Sequence, residues 1–545
     1  MTKNGKNGGI MKMRKLFTKI VILLLITVLF GITTHAVNYE VEWAKNFGGL
    51  NEEMFNAVIA TSDGGFLAVG YSNSVTSTSS GGVAGREWKN EDTTGVSSDA
   101  IVVKMDQYGV VEWAYNYGGD KDDSFNNVIE VASGGYIIVG VSDGASTTET
   151  DAIKNWGNHA RQDGIVVYIS ATGAVIWAKN FGGVEHDVLT SIGVTPDGDY
   201  IIVGNSTGPS DHGFDGNGDP IPNWSISGPG THTDGIAMKI KEDGSVVWAY
   251  NYGGAMAEDS LTAVIALPTL GDGYILIGYS NNVSTSSTVP MPWGNNGARD
   301  GILIKVDDDG IASWAYNYGT DTEDNFLDAT LLSNNEFLVV GYSFNTSAYW
   351  GHNGNGDALA IKFDKDGNII WAKNFGDQEM DVFFSVETTT SGNIIAVGYQ
   401  VDINIGEAKA SAYEVDTQGN IIWNVNLGES GLSLFYDVAV VPSGGYLAVG
   451  ASNTVSITRK GNDWGNVGYV DSIVAKLSEE IIVSTPPVTT PTVTPIVPKT
   501  GVNNSIEAYL LVITLGSFGI YFMSKIKKGI CYNHHKKCSF FLKKG

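Results

Sequence analysis

Residues 41–49, VEWAKNFGG, and residues 471–477, DSIVAKL, lie at opposite ends of a repetitive region of a 545-residue chain, and each is half of one unit. The first recurs with small changes, so that Trp43, Trp113, Trp177, Trp248, Trp314, Trp371 and Trp423 set a register, as in WAKNFGG, WAYNYGG and WNVNLGE. Each copy is followed by a strand-like segment such as FNAVIA, a turn of Ser, Asp and Gly, and a second strand that ends in glycine, as in GGFLAVGYS. From Trp to that glycine is 27 residues in six copies (Gly70, Gly140, Gly204, Gly341, Gly398, Gly450) and 30 in the copy that ends at Gly278. A third strand, such as DGIVVY or DALAIKFD, then passes through a turn like Asp364-Lys365-Asp366-Gly367 into the next Trp strand. Glycine there supplies the positive φ of a tight hairpin. The third strand starts 14 residues before its Trp at Asp99, Asp163, Asp234, Asp300, Asp357 and Lys409.

Two pieces are left over. The strand at Asp471 has no Trp strand after it, and the Val41–Trp43 strand has no third strand before it. An open array would expose both as unpaired sheet edges, whereas pairing them completes a seventh unit and closes a ring. The expected fold is therefore all-β: a seven-bladed β-propeller of four-stranded blades, closed by pairing of the N-terminal strand with the C-terminal blade. The strand order resembles kelch-type propellers, which share a glycine-ended second strand, a variable loop and a Trp on the fourth strand. The Asp-x-x-Gly hairpins before Trp are similar to those of quinone-binding propellers. Both resemblances cover about residues 38–478 and imply architecture only.

Composition agrees with many short strands: there are 69 Gly, 10% aromatic and only 17% charged residues. Outside the repeats, residues 1–36 carry six basic residues and no acid before an apolar run from Ile20 to Ile32 and Thr34-His35-Ala36, the pattern of a secretory signal peptide. Residues 479–500 end in a Pro/Thr-rich stalk too polar to build a core. Val497-Pro498-Lys499-Thr500-Gly501, followed by an apolar stretch from Ala508 to Met523 and by Lys525, Lys527 and Lys528, resembles the sorting signal of sortase-anchored (LPXTG-like) Gram-positive surface proteins, with Val497 in place of the usual Leu. The resemblance implies sortase and peptidoglycan as partners, cleavage between Thr500 and Gly501, and a hydrophobic anchor and basic tail over residues 501–545. The alternative is a plain membrane anchor facing outward, somewhat shorter than the roughly 20 apolar residues of a spanning helix. Both cysteines, Cys531 and Cys538, fall in that tail, so the exported part needs no disulfide.

The chain has 33 basic and 59 acidic residues. Removing the 13 basic residues and one acidic residue of segments 1–36 and 501–545 leaves 20 against 58, a net charge of −38, which repels nucleic acid and anionic lipid. Contact with the membrane is expected only through the C-terminal anchor.

Successive strands reverse direction, so the loops between strands two and three share a face with those between strand four and the next strand one. From the second-strand glycine to the third strand the spacing is 29, 23, 30, 22, 16, 11 and 21 residues, a variable face on a constant scaffold. These loops hold Trp88, Trp156, Trp224, Trp293, Trp350 and Trp464, four of them seven residues before the third strand. Such regularity suits packing at the loop root; exposed, the same rings would stack on sugars or on a partner's apolar side chains. All four arginines outside the signal peptide, Arg86, Arg161, Arg299 and Arg459, lie in the same loops, to bind an acidic ligand or to pair with loop acids such as Asp163 and Asp300.

An acid opens the first strand at Glu53, Asp123, Asp187, Asp259, Asp324 and Asp381, with Ser433 breaking the series. Around a ring these would either bind Ca²⁺ through oxygen or accept backbone N–H bonds and fix the loop. Asp211, Asp215 and Asp219 in DHGFDGNGD are separate calcium candidates without the full EF-hand pattern. No nucleophile elbow, zinc-helix motif or phosphate loop appears. The leading expectation is a non-enzymatic, adhesin-like surface protein that presents its loop face to a glycan or protein. The alternatives are an extracellular polysaccharide hydrolase or lyase using loop carboxylates, and a structural wall protein with no specific ligand.

Overall fold

In a computed structural model, the described residues are 39–49, 51–73, 78–79, 97–119, 121–144, 156, 161–183, 185–207, 232–253, 258–281, 297–344, 354–402, 407–428, 431–453 and 470–479. All belong to one compact unit, Met1–Ile481; a second unit, Ile482–Gly545, contains none of them. The stalk and sorting motif thus lie outside the described residues.

Second and third strands such as FLAVGYS and DAIVVKM are apolar runs buried almost throughout, because a neighbouring blade covers each side of the sheet. Fourth strands alternate more, as VEWAYNY does, since one edge faces solvent. Six blades are continuous in sequence. Blade 1 comprises Glu53–Ala60, Phe66–Ser72, Asp99–Met105 and Val111–Tyr117; blade 2, Asp123–Glu130, Tyr136–Ser142, Asp163–Ile169 and Val175–Phe181. Blade 3 comprises Asp187–Val194, Tyr200–Thr207, Thr233–Ile240 and Val246–Tyr252; blade 4, Asp259–Ala266, Tyr274–Ser280, Asp300–Val306 and Ala312–Tyr318. Blade 5 comprises Asp324–Leu331, Phe337–Ser343, Asp357–Phe363 and Ile369–Phe375; blade 6, Asp381–Thr388, Ile394–Asp402, Glu407–Val415 and Ile421–Leu427. Blade 7 joins Ser433–Val440, Tyr446–Ser452 and Asp471–Glu479 to Tyr39–Gly48 from the start of the chain. That closing pair is antiparallel from Tyr39↔Glu479 to Phe47↔Ser472. First strands of neighbouring blades touch all the way round, blade 7 against blade 1 included, so they line the central axis. The expected seven-bladed, closed propeller is the fold.

The regularly spaced second-strand glycine has a steric cause. Every first strand bulges beside it, as between Phe55 and Ala57, and pushes a carbonyl against the glycine Cα. A Cβ on Gly70 would stand 1.8 Å from the Met54 carbonyl oxygen, and one on Gly450 would stand 2.0 Å from that of Leu434. Any side chain there would break the blade.

The WAKNFGG phrase is a clasp between blades. The indole N–H of Trp113 donates to the Ala171 carbonyl (3.2 Å), that of Trp177 to Glu242 (3.0 Å), that of Trp248 to Asp308 (2.8 Å) and that of Trp371 to Thr417 (3.1 Å), each on the next blade's hairpin. Two residues on, Lys45 and Lys373 donate to the hairpin carbonyls of Gly109 and Gly419. Two further on, the hydroxyls of Tyr117, Tyr252 and Tyr318 reach Gly173, Gly310 and Gly367. The hairpin glycine, at positive φ, lies flat on the indole: a Cβ on Gly109 would be 2.5 Å from the Trp43 ring. The intervening Asn ties the fourth strand to the third-strand Asp of its own blade, as Asn116 does to Asp99 (2.7 Å) and Asn46 to Asp471 (2.8 Å).

One boundary cannot be built this way. Blade 7 has no third-to-fourth hairpin, because Glu479 and Tyr39 are where the chain leaves and enters it. Trp423 of blade 6 therefore turns its N–H onto Glu414 of its own blade (2.6 Å), which also accepts from Tyr446 of blade 7 (2.8 Å) and Asn393 (2.7 Å). In five of the other six blades that register position is a lysine: Lys104, Lys239, Lys305, Lys362 or Lys476.

Candidate functional site

The face opposite the hairpins carries the loops, and the structure places three of the sequence-derived candidates there. Trp156 is 1% exposed and donates from its indole to Ser142 Oγ (3.0 Å). It plugs the root of the blade 2 loop, so as a ligand contact this residue is corrected: an indole with no free face cannot stack on a ligand. Arg161 is exposed and pairs with Glu185 (3.0 Å). Arg299 is mostly covered, lying over the Tyr279 ring (4.6 Å to its centroid) and reaching Glu258 (3.4 Å). Trp88, Trp224, Trp293, Trp350, Trp464, Arg86, Asp211, Asp215 and Asp219 lie outside the described residues.

The acids that open the first strands are buried at the joints between blades. Their outer oxygens accept backbone N–H groups: Gly49 to Glu53 (2.7 Å), Gly119 to Asp123 (2.9 Å), Gly183 to Asp187 (2.7 Å), Thr320 to Asp324 (2.9 Å) and Asp377 to Asp381 (2.8 Å). Each sits beside the preceding blade's third-strand Asp. The point where a Gly118 Cβ would stand is 2.5 Å from Asp123 Oδ2 and 2.8 Å from Asp99 Oδ1. Burial, reinforced by those neighbouring carboxylates, pushes Asp123 up to about 8 and Asp187 to about 7. In Asp381, burial and the Asp377 and Asp357 charges raise the carboxyl to about 7. Among the described residues, no group of three or more His, Cys, Asp or Glu side chains is placed to hold a metal ion.

The sequence points to the mouth of the channel through the first-strand acids, which are instead buried at the blade joints; the channel wall itself changes character around the ring. From blade 1 to blade 5, a polar side chain on each first strand donates to the next: Asn56 to the Phe125 carbonyl (2.8 Å), Asn126 to Leu189 (2.9 Å), Thr190 to Leu261 (2.8 Å) and Thr262 to Phe326 (3.0 Å). From blade 5 onward the corresponding residues are Leu327, Phe384 and Tyr436, and the link reverses polarity. Asp328 accepts from the Val386 N–H (2.9 Å), Asp437 from Val58 N–H (2.7 Å) and Ser385 Oγ (2.6 Å), and Glu387 from Val440 N–H (3.0 Å). These three carboxyls remain in contact with the channel yet are hemmed in by protein. Burial lifts Asp328 and Glu387 to about 7 and Asp437 to about 6.

The loop-side mouth changes in step. The residue after the second-strand glycine is Tyr71, Tyr279, Tyr342 or Tyr399 on blades 1, 4, 5 and 6, but Val141 on blade 2 and Asn205 on blade 3. Phe384 touches Tyr399 (5.8 Å between centroids) and Tyr436 (5.0 Å), and Tyr342 meets Phe344 edge-on at 5.6 Å. All these rings are partly exposed, whereas Phe326, Phe383 and Phe435 on the same first strands are buried. One further concavity, an open groove between blades 5 and 6 lined by Lys373, Phe375, Tyr413, Asn420 and Asn424, lies toward the hairpins. Its Lys373 ammonium is already committed to Gly419 and Asn420.

No family model matches the chain, and no characterised protein matches it by sequence. Solved structures similar to it include the Neurospora crassa Pan2 WD40 domain (8% identity over 78% of this chain and 89% of that one, TM-score 0.39). Sqt1 from Chaetomium thermophilum (10% identity, 81% and 100%, TM-score 0.38) and a mutant NanB sialidase from Streptococcus pneumoniae (8% identity, 82% and 69%, TM-score 0.34) are similar too. At these levels none of them bears on what this chain does.

Proposed function

We propose that the protein is a cell-surface binding protein that takes a glycan or protein ligand on the loop face of its propeller. The observation that carries this reading is the partly exposed aromatic arc at the loop-side mouth, set on strands that the clasps and bulges make rigid. Anchoring by sortase through Val497–Gly501 is part of the same proposal. Surface display of the full chain tests it: sortase anchoring predicts that Thr500→Ala moves the chain from a wall fraction freed only by peptidoglycan digestion to a membrane fraction extracted by detergent, whereas a chain that detergent extracts with or without that substitution speaks for a membrane anchor.

A second reading, polysaccharide hydrolysis or elimination, is favoured by Asp328, Glu387 and Asp437, whose carboxyls sit in the range useful for general acid catalysis. Against it, Asp437 has one oxygen on the Val58 N–H and the other on Ser385, and Asp328 accepts from Val386 and Ala329. Groups so engaged serve the ring joint. Incubating the full chain with a polysaccharide panel decides between the readings: retention without product release supports binding, and product formation abolished by Asp437→Asn supports catalysis.

A further inference from the structure

We infer that the ligand of the loop face is a glycan whose sugar units carry no acidic group, held by stacking on the aromatic arc of blades 4 to 7. The inference rests on the binding reading above and assigns a chemical class to it.

The arc is built from Tyr279, Arg299, Tyr342, Tyr399, Phe384 and Tyr436. Contacts link its parts: the Arg299 guanidinium on Tyr279, and Phe384 between Tyr399 and Tyr436. The tyrosines are neighbours along the same path, Tyr342 near Tyr279 and Arg299, and Tyr399 near Tyr342 and Tyr436. All but Arg299 sit on strands. Three of the tyrosines directly follow the bulge-locked glycine, which fixes where their rings start. Preset, partly exposed rings with hydroxyl tips are what pyranose rings need, apolar on their faces and hydrogen-bonding at their edges. The spacing from Gly398 to Lys409, 11 residues, is also the shortest of the seven, so the blade that carries Phe384 and Tyr399 has the least loop sequence.

Charge selects the class of sugar. The cations nearest the arc are Arg299 and Lys409, and both are already paired, with Glu258 and with Asp402 (2.8 Å). Acids stand along the arc itself: Glu323 near Tyr342, Asp381 near Tyr399, and the channel carboxyl Asp437 on Ser385, next to Phe384. A uronic or sulfated sugar on the arc would meet this field with both of those cations already paired, the exposed Lys121 belonging to the joint of blades 1 and 2, whereas neutral and amine-bearing sugars meet acceptors for their O–H and N–H groups. A protein partner is favoured less. A standard protein interface wants about 800 Å² per side around an apolar core. The arc offers a narrow chain of hydroxyl-tipped rings.

The test is a binding panel for the full chain, with neutral, amino-bearing and uronate or sulfated polysaccharides and extracellular-matrix proteins. The variants are Tyr342→Ala/Tyr399→Ala, Tyr399→Phe and Tyr399→Leu. Neutral or amino glycans should bind and acidic ones should not; the separate neutral and amino arms show which of the two the site takes. The double Ala variant should bind at least about tenfold more weakly, as expected for two lost ring contacts. Tyr399→Phe should keep most of the affinity. Tyr399→Leu, which preserves apolar bulk and hence folding, should lose it with the ring. Preference for acidic glycans, binding to proteins alone, or glycan binding that survives both Tyr399→Leu and the double variant would overturn the inference and leave the binding reading intact. Silence across the whole panel would overturn both.

Discussion

On the hairpin face, Trp113, Trp177, Trp248 and Trp371 each place an indole N–H on a carbonyl of the following blade; on the loop face, the position after the second-strand glycine runs Tyr71, Val141, Asn205, Tyr279, Tyr342, Tyr399, Ala451. Both sets come from the same seven repeats. Where a side chain's partner is the next repeat, every repeat must offer the same surface, and variation is costly. Where nothing in the ring demands a particular partner, as at that loop-face position, the residue is free to change, from Val141 and Asn205 to the tyrosines of blades 4 to 6. The difference teaches where to look for function in a repeat protein: in the positions that break the repeat without breaking the scaffold.

Breaking the hairpin side should cost the most. Trp177 is 9% exposed, lies edge-on to Tyr168 and carries Lys179 over its ring. Trp177→Ala should lower unfolding free energy by about 3–5 kcal/mol, read from denaturant melts, with the ligand affinity of the folded fraction unchanged. Glu414→Ala comes next, because it strands the donors of Trp423, Tyr446 and Asn393 at the one boundary without a hairpin. About 2–4 kcal/mol is expected there, and limited proteolysis should then cut first near residues 39 and 479, since blade 7 loses its lock.

The pH dependence sharpens the comparison, because the raised carboxyls belong to the loop-side joints and the channel. Burial first, and neighbouring acids second, hold Asp123 at about 8 and Asp187 and Asp381 at about 7. Their unfolded counterparts titrate near 4. The folded state therefore binds more protons than the unfolded one across that interval, so stability rises as pH falls from about 8 toward 5. Below about 4 the trend reverses. Asp63, raised by burial but held at about 2 overall by Lys104, Thr61 and Gly65, loses its stabilising charge there. A melting temperature highest between about pH 4 and 6, with Asp123→Asn flattening the alkaline limb, is the expected profile. A melting temperature that climbs steadily to pH 8 would contradict the buried pairs. Smallest of all, Arg161→Ala should shift stability by less than about 0.5 kcal/mol, because its pairing with Glu185 is solvent-exposed.

The ring and its closure could be read from sequence because Trp and Gly recur at fixed spacing and the two incomplete units are complementary. The clasp was half visible: Trp43 and its copies marked a register, but their partners lie in the next repeat, some 46 to 65 positions along the chain for the indole bonds. Glu414 gave no signal, since only the missing hairpin of blade 7 explains why an acid stands where five of the other six blades place a lysine. Trp156, regular in spacing like its loop counterparts, proved to be packing, which spacing alone left open. The arc was hidden for the opposite reason. Tyr and Phe in a strand read as ordinary β-formers, and Phe384, Tyr399 and Tyr436 become neighbours only when first and second strands from two blades meet.

The most direct test measures affinity and melting temperature together for two variants, Trp177→Ala and Tyr342→Ala/Tyr399→Ala, against the unaltered chain with a glycan it binds. The account predicts a crossed result: the tryptophan variant melts several degrees lower with unchanged affinity, and the tyrosine variant binds at least about tenfold more weakly with little change in melting. Loss of affinity in the folded tryptophan variant, or a tyrosine variant that melts early and binds as before, would contradict the division of labour between the two faces.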